Sequence, residues 1–134
     1  MSKLAGMKIL VIDDDPNFRA LCRYALEKLS CRVDGAGNRL EALALIENVK
    51  YEVIVLDLVF PGDSGPNILA AIRALLPEQP VLILSGYVSA AIGREINTDK
   101  YTLMFEKPML SGALANVLAS NLEKLQTAPA ANPP

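Results

Sequence analysis

Hydrophobic positions along this chain fall into two alternating rhythms. Lys8–Ile12, Val53–Leu56 and Val81–Leu84 are short apolar runs rich in Val, Ile and Leu, without polar alternation. A parallel strand reads this way when helices cover both of its faces. Leu103–Phe105 is a run of the same kind, and Arg32–Asp34 is read as a short edge strand from the alternation of types. Between the runs, apolar residues recur at helical spacing. Asp15-Pro16 opens the first helix, because Asp can cap free backbone N–H groups and Pro fits the first turn. Phe18, Leu21, Cys22, Ala25 and Leu29 then form its expected stripe. Leu40, Leu43, Ala44 and Ile46 mark a second helix over Asn38–Asn48, and Leu69, Ile72, Leu75 and Leu76 a third over Pro66–Leu76. Val88–Ile96 is a poorer helix, since Gly93 costs about 1 kcal/mol relative to Ala in a helix interior. Ser111–Leu125 carries Leu114, Val117, Leu118, Leu122 and Leu125 on one stripe.

The alternation predicts an α/β fold of five strands and five helices. It is a flavodoxin-like, doubly wound (βα)5 arrangement with a five-stranded parallel sheet and helices on both faces. In such sheets the working crevice lies at the carboxyl ends of the strands. The 134 residues suffice for one domain, with 1–6 as an extension, 7–126 as the folded unit and 127–134 (TAPAANPP) as a linker-like tail.

Charge and composition narrow the chemistry. Thirteen basic against fifteen acidic side chains give a net charge of −2, so the footprint of direct nucleic-acid binding is absent. The chain has no His, which excludes Ser-His-Asp and Cys-His centres, His-ligated zinc and a phosphohistidine of its own. Its two cysteines, Cys22 and Cys31, make no disulfide framework, and Cys22 reads as a small core residue. The apolar runs fall far short of the ~20 residues that span a bilayer, and no secretory signal is visible. A reduced, cytoplasmic setting is expected.

The strand ends carry the candidate chemistry. The first strand ends in Asp13-Asp14-Asp15, the third in Asp57, the fourth in Ser85-Gly86 and the fifth in Glu106-Lys107-Pro108. Carboxylates gathered at one pole of a sheet repel one another unless a cation compensates. Mg²⁺ is such a cation, and Lys107 offers a second, fixed positive charge. A centre of this kind suits phosphoryl transfer to a carboxylate, with the charge of the transferring group neutralised by metal and lysine.

Four motifs in order, ILVIDDDP at residues 9–16, VLDLVFPG at 55–62, LSG at 84–86 and KP at 107–108, give the chain its family likeness. It resembles the receiver domains of two-component response regulators, of the chemotaxis-receiver type, over about residues 7–125. The resemblance implies that Asp57 is the phosphoacceptor, that Asp14 binds Mg²⁺ directly and Asp13 through water, and that the backbone carbonyl of Val59 is the third protein ligand. Ser85 would hold the phosphoryl group, and Lys107 would pair with it, positioned by Pro108. The donor would be a phosphohistidine on a sensor histidine kinase or a histidine phosphotransfer protein. The phosphorylated form would switch contacts with a downstream protein target or output domain. The protein would thus be a phosphoacceptor with at most autophosphatase activity, not a turnover enzyme. A homodimer through the fourth helix is allowed but not required.

One position departs from the family pattern. Receivers usually carry Tyr or Phe three residues before the lysine, where this chain has Met104. Phe105 would point to the opposite face of its strand. The weak helix with Gly93 is the expected mobile region, and Tyr87 is expected to shield an acyl phosphate and slow its hydrolysis. The run LSGY at 84–87 is similar to that of some receivers attached to histidine kinases, so an excised hybrid-kinase receiver is one alternative. An aspartyl phosphatase of the haloacid-dehalogenase type is another. Its Asp-x-Asp motif would be Asp13-Asp14-Asp15, but no cap domain accompanies it.

Overall fold

The computed structural model describes residues 4–57, 59–60, 63–85, 101–106, 113–114 and 116–120. The chain runs β1 (Lys8–Ile12), α1 (Pro16–Glu27), β2 (Arg32–Ala36), α2 (Arg39–Asn48), β3 (Val53–Asp57), β4 (Val59–Phe60), β5 (Asp63–Ser64), α3 (Gly65–Leu75), β6 (Val81–Ser85) and β7 (Thr102–Glu106). Residues 113–114 and 116–120 are helical. The helix expected over Val88–Ile96, Tyr87, and the tail from residue 127 lie outside the described residues.

Five strands form one parallel sheet in the order β2-β1-β3-β6-β7. Each residue step sends a side chain to the opposite face, and this divides the core in two. Ile9, Val11, Val33, Val53, Val55, Leu82 and Leu84 face one side, where Cys22 and Leu26 of α1 and Leu114 and Leu118 cover them. Leu10, Ile12, Ala36, Ile54, Leu56, Val81 and Ile83 face the other, under Ala42 and Ile46 of α2 and Ile68, Leu69 and Ile72 of α3. The central strands are therefore apolar at nearly every position, and β1 and β3 contain no exposed residue. Cys22 is fully buried in this core, and Cys31 is buried with its thiol donating to the Leu4 carbonyl at 3.3 Å; neither forms a disulfide.

Three leucines expected in helix stripes are instead on the surface. Leu40 is 81% exposed. It lies two residues before Ala42, a rotation of about 200° on the helix, which aims it away from the sheet. Leu21 stands about 100° from the buried Cys22 and is exposed. Leu75 shares the angular face of Ile68 but is exposed in the last turn of α3. Periodicity located these helices correctly and drew the stripes too wide.

Caps fix where the helices begin. Asp15 accepts from the Asn17 N–H at 2.9 Å, and Pro16 follows in the first turn. Asn38 accepts from the Glu41 N–H at 2.9 Å, while the Glu41 carboxylate accepts from the Gly37 N–H at 2.8 Å. This is close to a reciprocal capping box. The antiparallel pair β4–β5 sits directly after β3 and was not anticipated. Two-residue strands carry too few positions to show a periodicity.

A polar network ties the amino-terminal ends of β3, β6 and β7. Arg73 donates to the carbonyls of Leu76 and Gln79 and, at 2.9 Å, to Thr102 Oγ1 at the start of β7. The buried Gln79 donates to the Tyr51 carbonyl at 3.1 Å, and the Tyr51 hydroxyl donates to Asp34 Oδ2 on β2 at 2.6 Å. Tyr51→Phe is expected to cost about 1–2 kcal/mol, read as a lower urea midpoint at unchanged slope. Burial, and then the Asp34 carboxylate beside it, push the Tyr51 phenol well above its usual range. The folded state holds that proton more tightly than the unfolded state. Stability contributed by Tyr51 is therefore lost as pH rises past the unfolded phenol value of about 10. The Phe variant should decline less steeply there, and equal slopes would remove the assignment.

Candidate functional site

β1 and β3 are neighbours, and their register pairs Ile12 with Leu56. One step outward stand Asp13 and Asp57, on adjacent strands about 4.8 Å apart in the hydrogen-bonding direction. Both continue the face of Ile9–Val11 and Val53–Val55, the face covered by α1. A carboxylate oxygen from each of Asp13, Asp14 and Asp57 lies within 4.8 Å of the other two. Asp13 is 2% exposed and Asp57 8%, so two of the three charges are largely withdrawn from water. Asp14 is exposed at the rim.

The loop after β1 holds Asp13 firmly. Its N–H donates to the Ala36 carbonyl at 3.0 Å, which extends the β1–β2 ladder by one bond. Its Oδ1 accepts from the Asp15 N–H at 2.9 Å, and Asp15 in turn caps α1. The carboxylate is thus oriented by backbone at the carboxyl end of β1. Asp57 is the last residue of β3 and pairs across the sheet with Leu84 of β6. It was expected just beyond the strand and is in fact its final ladder position.

The other expected site residues are distributed around this pair. Val59 opens β4, two residues after Asp57. Ser85 ends β6, one step outward from the row of Asp57 and Leu84, and its backbone pairs with Glu106 of β7. Lys107, Pro108 and Gly86 lie outside the described residues. Met104 packs with the α2–α3 side of the core and Phe105 with the α1 side, so the two project to opposite faces as expected.

The donor set suits a hard divalent cation. Mg²⁺ takes oxygen ligands at about 2 Å, so oxygens on opposite sides of it stand about 4 Å apart. Three carboxylates with their oxygens gathered within 4.8 Å match that span without rearrangement of the strands. They also need a counter-charge, since like charges at this range repel strongly outside bulk water.

One residue of the site escaped the sequence reading. Arg19 Nη1 donates to the Asp13 carbonyl at 2.5 Å. A signal for it was present: a cation in the opening turns of a helix opposes the macrodipole, which favours anions there. Its presence beside Asp13-Asp14-Asp15 is therefore informative. Helical side chains lean toward the helix N-terminus, and this brings Arg19 back over the β1–α1 loop.

The comparisons with known proteins agree with this geometry. The family model described as "Response regulator receiver domain" matches residues 9–119. Protein PilG of Pseudomonas aeruginosa is 33% identical over 115 residues, covering 81% of this chain and 85% of that protein. A response regulator from Burkholderia pseudomallei, solved with a phosphorylated aspartic acid, a calcium ion and citrate, is 31% identical with a TM-score of 0.74, covering 96% of this chain and 75% of that one. TrrA of Thermotoga maritima, solved in complex with Mg²⁺-BeF, is 27% identical with a TM-score of 0.70, covering 89% and 98%. The haloacid-dehalogenase alternative finds no support in these matches. A parallel sheet with acidic strand ends, a family match across most of the sequence and a relative 33% identical over most of both chains lead to one conclusion: this chain belongs to the family of response regulator receiver domains.

Proposed function

We propose that this receiver domain accepts a phosphoryl group on Asp57 from a phosphohistidine of a sensor histidine kinase or a histidine phosphotransfer protein. The observation that carries the reading is the convergence of Asp13, Asp14 and Asp57 at one pole of the sheet, with Asp57 at the end of a central strand. A carboxylate oxygen of Asp57 would attack phosphorus as the P–N bond to the donor imidazole breaks, leaving the imidazole with its electron pair. Asp13, Asp14, Asp57 and the Val59 carbonyl would hold Mg²⁺, which when bound supplies charge neutralisation for the phosphoryl oxygens. Asp13, with Oδ1 already engaged by the Asp15 N–H, suits the part of a fixed ligand rather than of the nucleophile. Ser85 would receive a phosphoryl oxygen and Lys107 would pair with the phosphorylated side chain. A calcium ion and a phosphorylated aspartic acid in the Burkholderia relative, and Mg²⁺-BeF in TrrA, support this assignment.

The reading makes the protein a signalling phosphoacceptor whose phosphorylated form changes contacts with a downstream protein target or output domain. Residues 7–126 would be the receiver unit, flanked by an extension and a linker, and working in the cytoplasm. No helix among the described residues is long and apolar enough to cross a membrane. Incubation with acetyl phosphate and Mg²⁺ tests the proposal. The intact mass should gain one phosphoryl group, and addition of EDTA beforehand should prevent the gain. An unchanged mass with Mg²⁺ present, for protein shown to be folded, would sink the reading.

A further inference from the structure

The Arg19 guanidinium occupies a seat made for it. It lies half-buried over the β2 edge and donates to the Asp13 carbonyl. A Cβ on Gly35 would stand 3.2 Å from Arg19 Cδ, and one on Gly37 only 3.0 Å from Nη1. Among the described glycines only Gly6 has a positive φ. Backbone conformation therefore does not require glycine at 35 or 37, and a side chain at either position would crowd Arg19. The same seat adjoins Glu41, whose Oε1 would be 3.5 Å from a Gly37 Cβ and accepts from the Gly37 N–H. The Arg19 guanidinium is thus bonded to the loop bearing Asp13 and Asp14 and lies close beside the loop that caps α2.

We propose that Arg19 is a positioning residue that also serves as a built-in positive charge beside the acidic centre. It steadies the metal-free protein and at the same time lowers its affinity for Mg²⁺. The inference rests on the metal reading given above. Two opposing effects must be compared. Loss of Arg19 could loosen the loop and weaken the site, or it could remove a competing positive charge and strengthen it. The Asp13 carboxylate keeps its orientation without Arg19, through the Asp15 N–H on Oδ1 and the Ala36 carbonyl on its own N–H. The charge therefore dominates. The guanidinium is bonded to the backbone of the residue whose carboxylate would face the ion; even at the dielectric of water, a unit charge roughly 6 Å from a divalent ion alters its affinity roughly tenfold.

The test measures Mg²⁺ binding by titration calorimetry, and melting in EDTA and in saturating Mg²⁺, for the wild type, Arg19→Met, Arg19→Lys and Arg19→Gln. Arg19→Met keeps the bulk of the side chain and loses its charge. It should bind Mg²⁺ roughly tenfold more tightly at low salt, with the advantage shrinking as ionic strength rises. It should also melt below wild type in EDTA, with the gap narrowing in saturating Mg²⁺. Arg19→Lys should stay near wild-type affinity, because it keeps the charge. Arg19→Gln, which is neutral but keeps an amide donor for the Asp13 carbonyl, should shift affinity in the same direction as Arg19→Met and serves if that variant does not fold. Equal or weaker Mg²⁺ binding by Arg19→Met, or by Arg19→Gln where it stands in, would make Arg19 a strut only and overturn the proposal. A wild type that binds no Mg²⁺ would overturn the metal reading itself, which is a separate result.

Discussion

Asp57→Asn is expected to abolish the mass gain from acetyl phosphate and Mg²⁺, down to the limit of detection. The substitution is nearly isosteric, so the strand and its pairing with Leu84 should persist. What it removes is the nucleophile: a carboxylate oxygen carries the charge and lone pairs that attack phosphorus, and a carboxamide does not. It also deletes one of the three gathered carboxylates. The metal-free protein should then be at least as stable as wild type, because a largely buried like-charge contact is relieved. The two measurements together separate chemistry from folding. An inactive variant that has also unfolded would say nothing about the acceptor, whereas an inactive, stable one that still binds Mg²⁺ assigns it. Asn at position 57 with undiminished labelling would move the acceptor to another carboxylate, with Asp13 the first to examine.

Asp13→Asn should separate metal binding from fold stability in opposite directions. Asn retains the Oδ1 that accepts from the Asp15 N–H, so local geometry is kept. It removes one charge from a cluster whose oxygens lie within 4.8 Å. Each such pair repels by about 1 kcal/mol at the dielectric of water and several times that at the effective value for partly buried pairs. The variant is therefore expected to gain about 1–2 kcal/mol over wild type in urea denaturation with EDTA present. Its Mg²⁺ affinity should fall by about tenfold or more, since one hard, charged ligand has been replaced by a neutral one. In saturating Mg²⁺ the stability order should narrow or reverse, because binding to the native state stabilises wild type more. A less stable Asp13→Asn in EDTA would show that repulsion among these carboxylates does not govern the metal-free fold.

These expectations concern carboxylates whose gathering at one pole of the sheet was legible in the sequence. Apolar runs without alternation marked the strands, because strands covered on both faces have no solvent side to show. Acidic residues at the ends of two runs marked the centre, because neither capping nor solubility calls for Asp13-Asp14 and Asp57 in those positions. The stripes were less legible. Leu21, Leu40 and Leu75 fit helical spacing yet lie exposed, since periodicity finds a face but not how far a neighbour covers it. The strand limits moved outward as well. Asp57 and Ser85 read as strand ends by polarity, but the ladder continues through them, because hydrogen bonding of the backbone ignores the side chain.

By itself, the sequence determined the element types, the parallel α/β class, the carboxylates available for chemistry and the family resemblance that the comparisons bear out. All of these are local properties: residue spacing, caps and short motifs. Tertiary structure decided the rest. It set β1 beside β3 so that Asp13 and Asp57 share one row, and it brought Asp14 within the same 4.8 Å. It laid Arg19 across Gly35 and Gly37 onto the Asp13 carbonyl. Strand order and register come from long-range pairing and two-sided burial. No window of neighbouring residues encodes them, and the packing of Arg19 against Gly35 and Gly37 became visible only once β2 was in place.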